Sequence, residues 1–242
     1  MTSAVLLSIR DKSTRMTSKC WAQLGNKSIV QFISERLNRP NWNLTLATSE
    51  LPSDDLLVEF ATSSNIPYFR GDPLDKIQRY LDCANYFDYK QLAIVDGDDP
   101  FINLSLVDTA LSASADLVTF KGYELGTAPI GVSRKLLLEI SNQKSSVDTE
   151  VWGLLAEEIV DPASHLVIES FTDRIENARL TVDYDEDLTM LNSLLTLLPE
   201  GIDYRNTNVI RALINNPNLR EINAWRNEEY FAAIESKQAQ TK

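Results

Sequence analysis

The stretch that most constrains this chain is its start. Ala4-Val-Leu-Leu-Ser-Ile9 is a short, almost wholly apolar run that breaks off into Arg10-Asp-Lys-Ser13-Thr14-Arg15-Met-Thr-Ser-Lys19. An apolar run of this length bounded by a polar loop reads as a buried strand of a parallel sheet. In open α/β sheets, ligands bind beyond the carboxyl ends of the strands. Arg10, Lys12, Arg15 and Lys19 therefore stand where a ligand would arrive. Their chemistry asks for an anion: guanidinium grips phosphate with two prongs, and lysine brings a mobile point charge. Charge alone would also suit a solvated loop. The rest of the chain sets this loop apart, because 23 Lys+Arg face 35 Asp+Glu, a net charge of −12 over 242 residues.

That acidity opposes non-specific attraction to nucleic acid or to an anionic membrane surface, so neither is an expected partner. No run is long and apolar enough for a membrane span, and the N-terminus lacks the apolar core and cleavage site of a signal peptide. A hydrophobic fraction of 43% fills a core, and the length suits a single α/β domain over 1–242. Cys20 and Cys83 form neither a CxxC pair nor a zinc-type cluster, which suits free thiols and a cytoplasmic location.

Strands are expected at 4–9, 44–48, 66–69, 91–95 and 115–120. Helical spacing fills the gaps, at about 29–37, 56–63, 74–85 and 104–112, with Ser53 capping the second and Asp54 and Asp55 in its first turn. This alternation predicts a mostly parallel central sheet with flanking helices and right-handed crossovers. From Lys121 the rhythm changes. Tyr123–Gly126 and Ala128–Gly131 read as turns, followed by helices at about 134–140 and 151–160 and a strand at 166–171. The 121–175 region is expected to be an insertion, a dimerisation element or an acceptor-binding region. A strand at 180–182 then runs into Asp183-Tyr-Asp-Glu-Asp187 and a helix at 188–198, and a last helix runs from Asn206 through Ile214.

Three polar clusters thus follow strand ends: the cationic loop, Asp96-Gly97-Asp98-Asp99, and Asp183 to Asp187. A single acidic turn is ordinarily a helix cap, and Glu186 and Asp187 suit the first turn of the helix they precede. Two carboxylate clusters and a cationic loop together match nucleotide chemistry. Magnesium is usually held by one or two carboxylates plus substrate phosphates.

The same residues resemble the cytidylyltransferases of the CMP-ulosonate type, the spore-coat polysaccharide biosynthesis branch most nearly, alongside the CMP-KDO and CMP-sialate synthetases. The family's A-R-x-x-S-T-R-L-P-G-K loop reads here as Ile9 to Lys19. E-R-L is Glu35-Arg36-Leu37, A-T-S is Ala47-Thr48-Ser49, and D-D with E-F-A is Asp54-Asp55 with Glu59-Phe60-Ala61. P-x-F-R-G spans Pro67 to Gly71, R-Y is Arg79-Tyr80, and G-D-x-P-x-I spans Gly97 to Ile102. R-L-T-V-D-x-x-x-D-L spans Arg179 to Leu188, and N-P-x-L-x-x-I-N spans Asn216 to Asn223. The likeness is thin from about 121 to 175.

The resemblance implies a Rossmann-like GT-A nucleotidyltransferase fold that takes CTP and Mg2+. Arg10, Ser13, Thr14, Arg15 and Lys19 would hold the triphosphate, and Thr48 and Ser49 would border the nucleotide. Asp98 would ligate the metal and Asp183 would be its second carboxylate; Arg10, Arg15, Lys19 and Asp98 would carry the chemistry. An oxygen of an acidic sugar or other anionic acceptor would attack the α-phosphate and release pyrophosphate. A homodimer built through the 121–175 region is also implied. The departures are Thr17-Ser18 for Pro-Gly, Lys12 for Gly, and Thr149-Glu150-Val151-Trp152 where E-H-V-T is expected. His165 lies in the poorly matched part and is expected to be structural. A GT-A glycosyltransferase using Asp96-Gly97-Asp98, and a nucleotide-binding relative without turnover, are the other readings.

Overall fold

The computed structural model describes residues 2–11, 16, 18–145, 148–171, 175–198 and 206–241. The chain begins with β1 (Ser3–Ser8), where Val5, Leu6 and Leu7 are fully buried. A two-rung hairpin, β2 (Gln23–Leu24) and β3 (Lys27–Ser28), follows the cationic loop. α1 (Ile29–Leu37) is capped by Ser28, whose Oγ accepts from Gln31 N, and it buries Ile29, Val30, Phe32 and Ile33. β4 (Leu44–Ser49), α2 (Asp55–Ser63), β5 (Tyr68–Gly71), α3 (Lys76–Tyr86), β6 (Gln91–Asp96) and α4 (Leu104–Ser112) complete the alternating half. α3 starts later than the spacing suggested, because Asp75 serves as its cap and accepts from Gln78 N.

β7 (Leu117–Lys121), β8 (Ile130–Ser133), α5 (Arg134–Gln143), α6 (Trp152–Ile159) and β9 (His165–Glu169) come next. α7 (Asp185–Leu197), α8 (Asn206–Asn215), α9 (Pro217–Glu221) and α10 (Arg226–Thr241) close the chain. The seven-stranded sheet has the order β5-β4-β1-β6-β8-β7-β9. All neighbours are parallel except β8, which runs antiparallel to β6 and to β7. One face packs on α1, α2, α4, α7 and α8; the other packs on α3, α5 and α6 around Tyr80, Leu137 and Trp152. The expected sheet and flanking helices are therefore present.

Four local expectations are corrected. Ala128–Gly131 is not turn throughout: Ile130 opens β8, and Gly131 lets that strand press against β7, since a Cβ there would lie 2.9 Å from Val118 Cβ. Leu180–Val182 makes no strand of the sheet; it is buried irregular chain, joined by a single bridge between Leu125 and Arg179. Asp54, not Ser53, precedes α2, and its carboxylate turns back to the strand ends. The polar end of the chain forms α10. No helix among the described residues is long and apolar enough to cross a membrane.

Candidate active site

The chain leaves β1 toward β4 and β5 on one side, then returns to β6 on the other. β1 therefore sits at the topological switch point, where open α/β sheets bind ligands. Gly97 N donates to Ser8 O at 2.8 Å, drawing the β6 turn onto the end of β1. Only glycine fits there, because a Cβ would lie 2.6 Å from Ile9.

Lys19 reaches into this crevice. Its Nζ donates to Asp98 Oδ2 at 2.8 Å and to Asp183 Oδ1 at 3.3 Å. Asp98 comes from the β6 turn and Asp183 from the segment before α7. Val182 N donates to Asp98 O at 2.8 Å, so backbone joins what the lysine bridges. That segment passes under Gly126, whose φ of 85° and missing Cβ accommodate it; a Cβ would meet Thr181 N at 2.5 Å.

Asp183 rests on a buried lattice. Arg179 is fully buried; its Nη2 donates to Asp183 Oδ2 at 2.8 Å and its Nε to Asp187 Oδ1 at 2.7 Å. Asp187 Oδ2 accepts from Asp183 N at 2.8 Å and Tyr184 N at 3.0 Å, and its Oδ1 accepts from Asn223 Nδ2 at 2.9 Å. Asp187 is thus more than a first-turn acid: it orders the backbone that presents Asp183.

On the other side of the crevice, Arg10 donates to Pro73 O and, at 3.1 Å, to Glu150 Oε2. Lys76, almost buried, lies 3.2 Å from Glu150 Oε1 and 3.5 Å from Asp96 Oδ1. Burial alone would lower the pKa of Lys76, but Asp96, the neighbouring Tyr80 and Glu150 raise it, so this ammonium stays charged. Enclosure in the cleft would raise the Asp98 carboxyl, yet the Lys19 ammonium beside it leaves it below its ordinary value. Among the described residues Asp99 has no such partner. Enclosure, then the charges of Asp98 and Asp96, holds its carboxyl well above the usual range.

Asp96, Asp98 and Asp99 each bring one carboxylate oxygen within 4.8 Å of the others. An all-oxygen, all-anionic donor set suits a hard divalent cation such as Mg2+ or Mn2+ rather than zinc. The carboxylates open onto a cavity of about 360 Å³. Its far wall is built by Phe120 of β7, by Tyr123 and Glu124 just after that strand, and by Tyr230 and Phe231 of α10. The Arg179 guanidinium lies 4.6 Å from the centre of the Tyr230 ring. Arg226 binds Glu186 at 3.2 Å, which fastens the start of α10 to α7.

The structure brings together Arg10, Lys19, Asp98 and Asp183 from the residues singled out in sequence. Lys12, Ser13, Thr14 and Arg15 lie outside the described residues. Thr48 and Ser49 end β4 near the crevice, but their hydroxyls both turn to the buried carboxylate of Asp54, which also accepts from Asp11 N at 2.8 Å. Asp54 thereby ties the end of β4 to the start of the cationic loop. His165 is on β9 with Nε2 2.8 Å from Thr119 Oγ1. Sequence reasoning missed Lys76, Glu150, Arg179 and Tyr230 as part of the site. The motif span from Arg179 to Leu188 was the one signal for Arg179, but its pairing with Asp183 and Asp187 is made by irregular chain turning into α7, not by helical spacing.

No family model matches the chain. It is 25% identical over 228 residues to the spore coat polysaccharide biosynthesis protein SpsF of Bacillus subtilis, covering 88% of this chain and 94% of that protein. A cytidylyltransferase structure from Leptospira borgpetersenii superposes with a TM-score of 0.80 at 24% identity, over 90% of this chain and 96% of that one. The CMP:2-keto-3-deoxy-manno-octonic acid synthetase structure complexed with CTP superposes at 0.61 and 13% identity, over 81% and 99%. The chain therefore has the Rossmann-like nucleotidyltransferase fold, and it resembles the cytidylyltransferases and a member of their spore-coat polysaccharide branch.

Proposed function

We propose that the protein is a CTP-dependent cytidylyltransferase. It would transfer CMP to a small hydroxyl-bearing acceptor and release pyrophosphate, in polysaccharide biosynthesis and in the cytoplasm. The observation that carries the reading is the meeting of Lys19, Asp98 and Asp183 at the switch point of the sheet.

In this reading the triphosphate lies along the cationic loop, held by Arg10, Ser13, Thr14, Arg15 and Lys19. Lys19 exchanges one carboxylate partner for a phosphate oxygen, and its ammonium follows the charge that grows on the departing pyrophosphate. Thr48 and Ser49 border the nucleotide, with Asp54 fixing the strand end they occupy. Asp98 and Asp183 would hold the magnesium ion, with Asp96 and Asp99 beside them. A divalent ion there, when bound, neutralises charge on the α-phosphate and pyrophosphate. The protein's own part is positioning: the Arg179–Asp187 lattice keeps Asp183 still, and the aromatic wall keeps bulk water from the phosphorus. The acceptor oxygen approaches from the cavity, forms the bond to the α-phosphorus and displaces the bridging oxygen of pyrophosphate.

A homodimer through the 121–175 region belongs to the same proposal. Support comes from β9, an edge strand with Leu166 exposed, and from Phe171 just beyond it, which is fully exposed. Light scattering at micromolar concentration tests it, and a monomer rejects it.

The deciding experiment is a thermal-shift series with CTP, UTP, ATP and GTP, with and without Mg2+, followed by a pyrophosphate-release assay. A ligand that binds only the folded state adds about 2.7 kcal/mol at a hundredfold excess over its Kd. A magnesium-enhanced, CTP-selective shift with pyrophosphate release is expected. Binding without turnover would leave a nucleotide-binding relative, and release of a nucleoside phosphate from an activated donor would leave a glycosyltransferase.

A further inference from the structure

The cavity wall that faces the acceptor is built for a cation. Glu124 is 8% exposed, lines the cavity, and accepts from Ile175 N at 3.2 Å through Oε1. Among the described residues no lysine or arginine lies within ion-pair distance of it. The described cations nearby are committed elsewhere: Lys19 to Asp98 and Asp183, Lys76 to Asp96 and Glu150, Arg10 to Glu150, Arg179 to Asp183 and Asp187. A buried carboxylate without a counter-charge is costly, and such groups are normally paired. Around Glu124 the wall is aromatic. Phe120 and Tyr123 meet edge to face at 6.0 Å, and Tyr230 and Phe231 close the cavity from α10. Aromatic faces beside a carboxylate attract ammonium groups and repel a second carboxylate.

We propose that the acceptor is a hydroxyl compound bearing a protonated amine, an amino sugar by chemical class, with its ammonium at Glu124 and its apolar face on the aromatic wall. This rests on the cytidylyltransferase reading and replaces the expected anionic acceptor. Lys76 is the only cation among the described residues lining the cavity, and it already serves Asp96 and Glu150. Among the described residues of this wall, an acceptor carboxylate would find no cation of its own.

The test uses the full chain with Mg2+ and a non-hydrolysable CTP analogue, and titrates glucosamine, N-acetylglucosamine and glucuronate by calorimetry at millimolar concentration. Glucosamine should bind most tightly and glucuronate least. Glu124→Gln keeps the oxygen that accepts from Ile175 N–H; it should weaken glucosamine binding about tenfold or more, by loss of a charge-assisted hydrogen bond, and leave the analogue's thermal shift in place. Absence of any CTP-analogue shift overturns the cytidylyltransferase reading and this inference with it. A normal shift with glucuronate preferred, with no saturable glucosamine binding, or with Glu124→Gln indistinguishable from the parent overturns this inference alone.

Discussion

One ammonium, that of Lys19, holds Asp98 Oδ2 at 2.8 Å and Asp183 Oδ1 at 3.3 Å, so a cation from the first loop bridges carboxylates from two distant stretches. Lys19→Met removes that bridge while Asp183 keeps Arg179. CTP affinity should fall about ten- to a hundredfold, the loss of one charge-assisted contact. Calorimetric titration checks it, and an unchanged Kd removes Lys19 from the triphosphate site.

Asp98→Asn keeps the side chain's shape and one acceptor oxygen. Magnesium-dependent pyrophosphate release should drop at least about a hundredfold, the scale of losing one group that stabilises transition-state charge. The melting temperature should stay near that of the parent. Retained turnover would remove Asp98 from the reaction.

Arg179→Leu tests the support beneath Asp183. It would strand two buried carboxylates, at a cost of about 3–5 kcal/mol. For a chain of this size each kcal/mol is worth about 2–4 °C, so the melting temperature should fall by roughly 6–20 °C. Scanning calorimetry reads this directly, and a change of less than about 2 °C would mean that the lattice is not a buried unit.

Opposite shifts at Asp98 and Asp99 set the pH response. Asp98 adds stability that is present above the ordinary 3.8 and is lost as pH falls through its lower folded value. Asp99 does the reverse: its cost begins as pH rises above 3.8 and is complete beyond its raised folded value. A divalent ion favours ionised carboxylates and offsets that cost. Magnesium should therefore raise the melting temperature more at neutral pH than in acid. Asp99→Asn should raise the magnesium-free melting temperature at neutral pH. Melting curves against pH, with Mg2+ or with chelator, decide it; equal magnesium gains at every pH would reject the account.

The alternating half of the fold was legible because each strand is a short apolar run and each helix shows one apolar face, as in β6 and α4. β8 was not: Gly131 breaks its apolar pattern, and its place between β6 and β7 depends on close backbone approach that no local window records. α10 was not either, since its value lies in what Tyr230 faces across the cavity rather than in its own periodicity. At the site, Lys19, Asp98 and Asp183 were readable from strand ends and motif spacing. Lys76 was hidden by helical spacing that suits an ordinary solvated residue, and Glu150 by a region with little family likeness. Both acquire meaning only when α3 and the segment before α6 meet over the crevice.

The hydrogen bond from Val182 N to Asp98 O has a consequence for the order of assembly. The sheet from β1 to β6 closes with contacts made within the first half of the chain, whereas this bond waits for the last third to return. An intermediate with that early sheet in place would carry the β6 carboxylates without the Asp183 partner. Nucleotide would then meet a site without Asp183 on early species and would act most on the final docking step, slowing unfolding more than it alters the first collapse.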